Sequence, residues 1–257
     1  MKKFLAIAAA TLPLLALAQS ALDGSWRTDL KSISGADKPS KYLLKDGNYE
    51  CDSCAPQIKV KADGTEQPVA GNPFLDALAV KVADDRTIEL TTTKGGKVVT
   101  SGKITIAADG NSMTREFRTN DAKGFVNTST TKMTRVGAPV KNAHVMSGSW
   151  KLSAVEKMTD NGVAYKTANG VLTMHSTDGS SYEAKLDGTK AVFKDSRGTD
   201  AVTVRMKDKN TLEETDWRGA KPWFVTTTTV GGDGKTANVV WENKSNNTRG
   251  SYKMSRQ

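Results

Sequence analysis

Beyond residue 20 the apolar positions of this chain recur at every second residue. They alternate with polar ones in Ile58-Lys59-Val60-Lys61, Lys103-Ile104-Thr105-Ile106, Val202-Thr203-Val204-Arg205-Met206 and around Ile88 to Leu90, the period of a strand buried on one face. Between these runs lie Asp46-Gly47, Lys94-Gly95-Gly96, Ala108-Asp109-Gly110-Asn111, Asp187-Gly188 and Gly232-Asp233-Gly234, which are hairpin signals because Gly, Asn and Asp accept positive φ. The runs Thr91-Thr92-Thr93 and Thr226-Thr227-Thr228-Thr229 are β-branched and poor in helix. Short strands at this spacing predict a sandwich or a barrel, with helix limited to a turn around Phe74 to Ala77.

The pattern occurs twice. Gly24-Ser25-Trp26 returns as Gly148-Ser149-Trp150 at an offset of 124, and the same offset joins Lys61, Asp63-Gly64-Thr65 to Lys185, Asp187-Gly188-Thr189 and Thr87-Ile88-Glu89 to Thr211-Leu212-Glu213. Near the ends it slips, since Lys132-Met133-Thr134-Arg135 meets Lys253-Met254-Ser255-Arg256 at 121, so a loop has changed length. The segment from Val136 to Ala143 carries Gly and Pro and no periodicity. The chain therefore divides into a first repeat over 22–136, a linker over 137–146 and a second repeat over 147–257. Each repeat has the usual size of one domain. The expected fold is all-β: two tandem antiparallel barrels of about eight strands each, closed because closure removes exposed sheet edges.

The N-terminus reads differently. Met1-Lys2-Lys3, the apolar run from Phe4 to Leu17 and Ala16-Leu17-Ala18 form the charged, apolar and small-residue regions of a secretory signal peptide over 1–18, with a cut after Ser20 as the alternative. The run is shorter than the roughly 20 residues a spanning helix needs, and Pro13 interrupts it. No cysteine lies near either cut to accept a lipid. A periplasmic or secreted protein with no transmembrane segment after signal removal is expected. A membrane-spanning barrel is disfavoured, because lysines recur too often between the turns for a lipid-facing band.

At Gly24-x-Trp26 and Gly148-x-Trp150, each opening the first strand of a repeat, the sequence resembles the calycin group of lipocalins, fatty-acid-binding proteins and avidins. That resemblance implies a basic residue late in the last strand that covers the first-strand tryptophan, and Arg135 and Arg256 occupy the matching places. A guanidinium over an indole gains about 0.5 to 2 kcal/mol and seals one end of a barrel. The match departs from lipocalins in two ways. The Thr-Asp-aromatic triplet appears only as Thr215-Asp216-Trp217, against Thr91-Thr92-Thr93 in the first repeat, and both repeats are short for a C-terminal helix. The stretch from Lys61 through Val99 also looks like a type of exported bacterial protein with two tandem copies, a likeness that brings no activity with it.

Charge and composition add little. The formal charge is +9, or +7 once Lys2 and Lys3 are removed, and apolar residues at 37% with aromatics at 6% mean modest cores. A basic surface favours an anionic envelope component as a neighbour. The lysines are scattered, however, with no block of like charge that would mark specific nucleic-acid binding.

Cys51-x-x-Cys54 is the only cysteine pair and has no counterpart in the second repeat. In an exported chain it reads first as a small structural disulfide, with a redox or metal role and free thiols as alternatives, because zinc would need ligands beyond His144 and His175. His175 reads as a strand residue and His144 as a linker side chain. Adjacent acids such as Asp84-Asp85 and Glu213-Glu214 point to opposite faces of a strand. No nucleophile elbow, phosphate loop or dinucleotide fingerprint is present. No catalytic residue, cofactor or metal ligand is therefore assigned, and the reading leans away from an enzyme. Trp217 and Trp223 stand opposite Thr93 and Val99 in the repeat alignment, so they are the candidates for a ligand pocket in the second repeat. The expected function is a non-enzymatic binding module for a small, largely apolar molecule. The alternatives are a scaffold for envelope-surface or protein–protein contacts and, third, an extracytoplasmic enzyme.

Overall fold

A computed structural model describes residues 20–120, 124, 126–159 and 161–257; the expected signal peptide, 1–18, lies outside them. The strands are β1 (Gly24–Asp29), β2 (Ser40–Lys45), β3 (Asn48–Cys51), β4 (Ile58–Lys61), β5 (Asp63–Pro68), β6 (Ala77–Asp84), β7 (Thr87–Lys94), β8 (Lys97–Ile106), β9 (Ser112–Asn120) and β10 (Val126–Val136). The second series is β11 (Gly148–Met158), β12 (Gly162–Ala168), β13 (Val171–Ser176), β14 (Ser181–Lys185), β15 (Ala191–Val192), β16 (Ala201–Asp208), β17 (Thr211–Arg218), β18 (Lys221–Val230), β19 (Thr236–Asn243) and β20 (Thr248–Arg256). The bounds of β6, β7 and β8 recur in β16, β17 and β18 at an offset of 124.

These strands form two nearly closed antiparallel sheets of ten strands each, in the orders β4-β3-β2-β11-β10-β9-β8-β7-β6-β5 and β14-β13-β12-β1-β20-β19-β18-β17-β16-β15. The count is ten where about eight were expected. Two of the missed strands carry no alternation to read: Asp63–Pro68 is polar throughout and Ala191–Val192 has two residues. Nor is there a helical turn at Phe74 to Ala77; the one helical element among the described residues is a 3₁₀ turn at Leu30–Ser32. Among the described residues no helix is long and apolar enough to cross a membrane.

The first strands are exchanged. β1 lies between β12 and β20, pairing Gly24 with Tyr165 and Trp26 with Arg256, while β11 lies between β2 and β10, pairing Gly148 with Tyr42 and Trp150 with Arg135. Each barrel thus takes nine strands from one repeat and its first strand from the other. Segment 137–147 is consequently the connection between two paired strands of the first barrel. Its end is fixed there: Met146 is fully buried, and Ser147 Oγ accepts from Leu44 N at 2.9 Å. The chain crosses between barrels at 30–39 and again at 159–161. The first crossing runs beside β20, with Ser34 N donating to Ser251 O at 2.9 Å and Asp37 N to Arg249 O at 2.8 Å.

One clamp, built twice, holds each exchanged strand. Arg256 stacks 4.4 Å from the Trp26 ring centroid and Arg135 stacks 4.2 Å from that of Trp150, so each tryptophan is covered by the arginine of the other repeat. Arg135 donates from Nε to Gly110 O and from Nη1 to Ser147 O, both at 2.7 Å, and from Nη2 to Val145 O. Arg256 makes the matching bonds to the carbonyls of Gly234, Asp23 and Ala21. The indole nitrogens donate to Leu22 O and Met146 O at 2.7 and 2.8 Å. The glycine of Gly-x-Trp is required on two counts. Gly24 and Gly148 have φ of 122° and 136°, and a Cβ at either would stand 2.6 Å from the arginine Nη1.

Inward positions near each clamp are solidly packed. The first barrel fills with Val80, Ile88, Ile104, Ile106 and Met113, the second with Leu172, Leu212 and Val239, all nearly or fully buried; further from the second clamp, Val202 and Val204 are also fully buried.

Two tests follow from the exchange. A protease site placed in the exposed loop between Gly137 and Lys141 is expected to yield fragments that co-elute in native size-exclusion chromatography and separate only in denaturant. Fragments that part without denaturant would mean that each repeat closes on itself. Arg135→Met is expected to lower the unfolding free energy by about 3 kcal/mol, because enclosed carbonyls lose their donor, with Arg135→Lys restoring only part of it; denaturant midpoints measure both.

Candidate functional site

The half of the second barrel away from its clamp is built differently. On β17 the inward series is Leu212, Glu214 and Asp216, because alternate residues of a strand share a face. Leu212 is fully buried; the two carboxyl side chains are enclosed yet keep part of their surface open. Phe224 on β18 and Trp241 on β19 continue the inward series of Thr228 and Val239, and their rings stack at 5.5 Å with 14° between planes. Tyr182 from β14, Tyr165 from β12 and Tyr252 from β20 complete the wall. Tyr182 OH donates to Glu214 Oε2 at 2.5 Å. The hydroxyls of Tyr165 and Tyr252 are hydrogen-bonded to no described residue, although both rings are enclosed.

Burial sets the protonation of this group. Removal from water pushes the Asp216 carboxyl up to about 8, the adjacent Glu214 charge adds to that, and Arg218 opposes it. Burial also raises Glu214, against the hydrogen bonds it receives from Tyr182 and shares with Asp216. With its carboxyl raised to about 8, Asp216 keeps its proton near neutral pH beside the Glu214 carboxyl. Burial and the Glu214 charge push Tyr252 up to about 12, and Tyr165 and Tyr182 rise for the same two reasons. Asp216 Oδ1 and Arg218 Nη2 have no hydrogen-bond partner.

At the rim Arg218 lies between two rings, 3.5 Å from the centroid of Trp223 and 4.5 Å from that of Phe74. Phe74 belongs to the β5–β6 loop of the first barrel, so this stack docks one barrel on the mouth of the other. Arg218 Nε donates to Gly198 O, and Trp223 Nε1 to Thr199 Oγ1 at 3.1 Å.

The two tryptophans singled out from sequence fall outside the lumen. Trp217 donates to Thr203 Oγ1 at 3.1 Å, and Lys190 Nζ sits 3.7 Å from its ring. Thr203 alternates with buried Val202 and Val204, so this is the outer face of the wall. Trp223 is the extra residue where the β17–β18 register shifts, and it serves the rim. Their inward neighbours Asp216 and Phe224 line the lumen. The acid pair was legible as Glu214-x-Asp216, two residues apart on one strand face with Leu90 and Thr92 opposite in the first repeat. Pairing Glu214 with its neighbour Glu213 instead concealed it.

Elsewhere the chemistry is structural. Cys51 and Cys54 form a disulfide. His175 is exposed on β13, and the His144 ring accepts from Met146 N at Nδ1 while its Nε2 lies 3.1 Å from Asp84 O. Among the described residues no three His, Cys, Asp or Glu side chains gather as a metal site. Positions in the first barrel that match Glu214, Asp216, Tyr182 and Tyr252 hold Leu90, Thr92, Ile58 and Thr131, while Arg115 points inward in place of Val239.

Comparison with protein families, with curated proteins and with solved structures found no match to this chain.

The lumen acids make a testable mark on stability. An acid whose folded-state pKa is raised contributes stability that is complete below its unfolded value of 3.8 and is lost as pH rises through about 8. The exposed carboxyls held below their usual range, such as Asp63 and Asp187, act oppositely and only at lower pH. The urea midpoint is therefore expected to fall between pH 4.5 and 8.5, and Asp216→Asn to flatten that fall and exceed the parent at pH 8.5 (pH values chosen to bracket about 4 to about 8). A parent midpoint that rises across the window would contradict an enclosed, proton-sharing pair.

Proposed function

We propose that this protein is an exported, non-enzymatic binding module of calycin type whose site is the lumen of the second barrel. The observation that carries the reading is the inward set Glu214, Asp216, Tyr165, Tyr252, Phe224 and Trp241, inward-facing side chains that keep part of their surface accessible where the apolar inward positions of the same barrel are closed. Enclosing two carboxyl groups side by side, with Asp216 Oδ1 left without a hydrogen-bond partner, destabilises the fold. A bound molecule that satisfies them accounts for that expense, whereas a barrel used only as a scaffold would be better filled with apolar side chains, as the clamp ends are. Barrels of this size hold one small ligand, and a few convergent polar groups on an aromatic wall give it orientation.

Export is supported by the charged, apolar and small-residue pattern of residues 1–18 and by the Cys51–Cys54 disulfide, a bond that persists in oxidising compartments. Cleavage after Ala18 or after Ser20 leaves Ala21, Leu22 and Asp23, whose carbonyls the second clamp uses.

Native mass spectrometry of protein recovered from the periplasm of an expressing cell is expected to show one small molecule per chain, released by denaturation and identifiable in the extract. Ligand-free protein from repeated gentle preparations, together with salt-sensitive retention on envelope material, would favour the scaffold reading instead.

A further inference from the structure

The chemistry of the lumen narrows the ligand, on the condition that the lumen is the binding site. Glu214 and Asp216 bring two carboxyl groups to one place, and the acceptor Asp216 Oδ1 is left open. The hydroxyls of Tyr165 and Tyr252 stand near them without hydrogen-bond partners; both rings feel the Glu214 charge. The one guanidinium within electrostatic reach, Arg218, is held between Phe74 and Trp223 and donates from Nε to Gly198, with its Nη2 unpartnered. Beside the acids stands the Phe224–Trp241 stack, an apolar surface with electron-rich faces.

We propose that the second barrel is a receptor for a small organic cation, a protonated amine whose nitrogen sits between Glu214 and Asp216 and whose apolar or aromatic part lies against Phe224 and Trp241. An ammonium group offers two or three hydrogen-bond donors and no acceptor. It therefore suits the free acceptor oxygens that Asp216 and the two tyrosines present; the unpartnered Arg218 Nη2 stays at the rim, fixed by its two rings. A cation also offsets the desolvation of the two acids, and aromatic faces attract it further. A carboxylate ligand would be placed against two acids. A neutral alcohol would leave the desolvated charge uncompensated. The first barrel is the built-in contrast, with Leu90 and Thr92 in place of the acids and the inward Arg115, a lumen in which an amine finds no counter-charge.

Binding carries a proton balance. Near neutral pH Asp216 retains its proton; the arriving ammonium ion keeps its own protons, and the Asp216 proton leaves to solvent. Affinity should therefore rise as pH approaches 8 and level above it. The other ionisable groups facing the pair are Tyr182 from β14, Tyr165 from β12, Tyr252 from β20 and Arg218 at the end of β17, with Asp200 beside Arg218. The tyrosines are held above their usual range, so none of them titrates between pH 6 and 8.5.

Titration calorimetry of the mature chain, freed of any endogenous ligand, with benzylammonium, benzyl alcohol and benzoate tests this. Benzylammonium is expected to bind at least about tenfold more tightly than either other probe, a selectivity typical of a desolvated charge contact. It should bind more tightly at pH 8 than at pH 6, and buffers of different ionisation enthalpy should report close to one proton released at pH 7. Glu214→Gln with Asp216→Asn should abolish the preference and the proton release while benzyl alcohol binding is kept or strengthened; Leu90→Val in the first barrel should change neither. Alcohol or benzoate binding as tight as the amine would overturn the cation inference and leave the binding module standing. So would amine binding unaffected by the paired substitution. If none of the probes binds and no small molecule accompanies the exported protein, both readings fail.

Discussion

Each barrel is closed by a strand from the other half of the chain, and one arginine clamps that strand at its end. The guanidinium reaches three backbone carbonyls in two segments and stacks on the tryptophan of the incoming strand. Only a planar fork can do both, because lysine presents a point charge on a flexible stem. The clamp in turn dictates the glycine two residues before the tryptophan, whose missing side chain is the space the guanidinium occupies. Since both clamps join residues of opposite repeats, neither barrel can form completely from one repeat. The barrels are tied by two chain crossings, by the strap along β20 and by Phe74 against Arg218 and Trp223.

That arrangement separates stability from chemistry. The clamps bury Trp26 and Trp150, and the apolar inward positions of both barrels bury the aliphatic side chains; there apolar burial, at about 25 cal/mol per Å², stabilises the fold. Glu214 and Asp216 are enclosed at a cost visible in their upward-shifted titration, and the packed half of the same barrel tolerates it. Retaining such a pair where Leu90 and Thr92 show that uncharged residues fit the same backbone points to a use for the charge.

The repeat, the all-β class and the clamp residues could be read from sequence because each leaves a local mark: alternation in Ile58-Lys59-Val60-Lys61, a Gly-x-Trp at both first strands, an Arg at both last ones. The exchange could not be read. A copy of strand one has the same sequence whichever barrel it enters, so the register β1–β20 and the register β1–β10 are equally compatible with Trp26, Arg135 and Arg256. The choice depends on the path of 30–39, whose Ser34 and Asp37 bond to β20 through ordinary polar groups with no periodic signature. Strand number was undercounted for a similar reason, since Asp63–Pro68 has no buried face. At the site, alternation was sufficient to place Glu214 and Asp216 together. The large indoles of Trp217 and Trp223 drew the reading instead, and the register shift between Asp216 and Trp217 turned them to the outer wall and the rim.

Duplication explains how one architecture can hold lumens of opposite character. Substituting Glu for Leu at the position of β7 and β17 that faces Val80 or Val204 would strand a charge in a single solid barrel. With two barrels fastened by identical clamps, the fold depends on residues that both copies retain, and the open half of each is free to diverge. The first has Leu90 and Thr92 and places Arg115 inward; the second places Glu214, Asp216 and two tyrosine hydroxyls inward and an aliphatic Val239 where the arginine stands. The acids and the arginine occupy separate enclosures, so they do not neutralise each other as they would in one lumen.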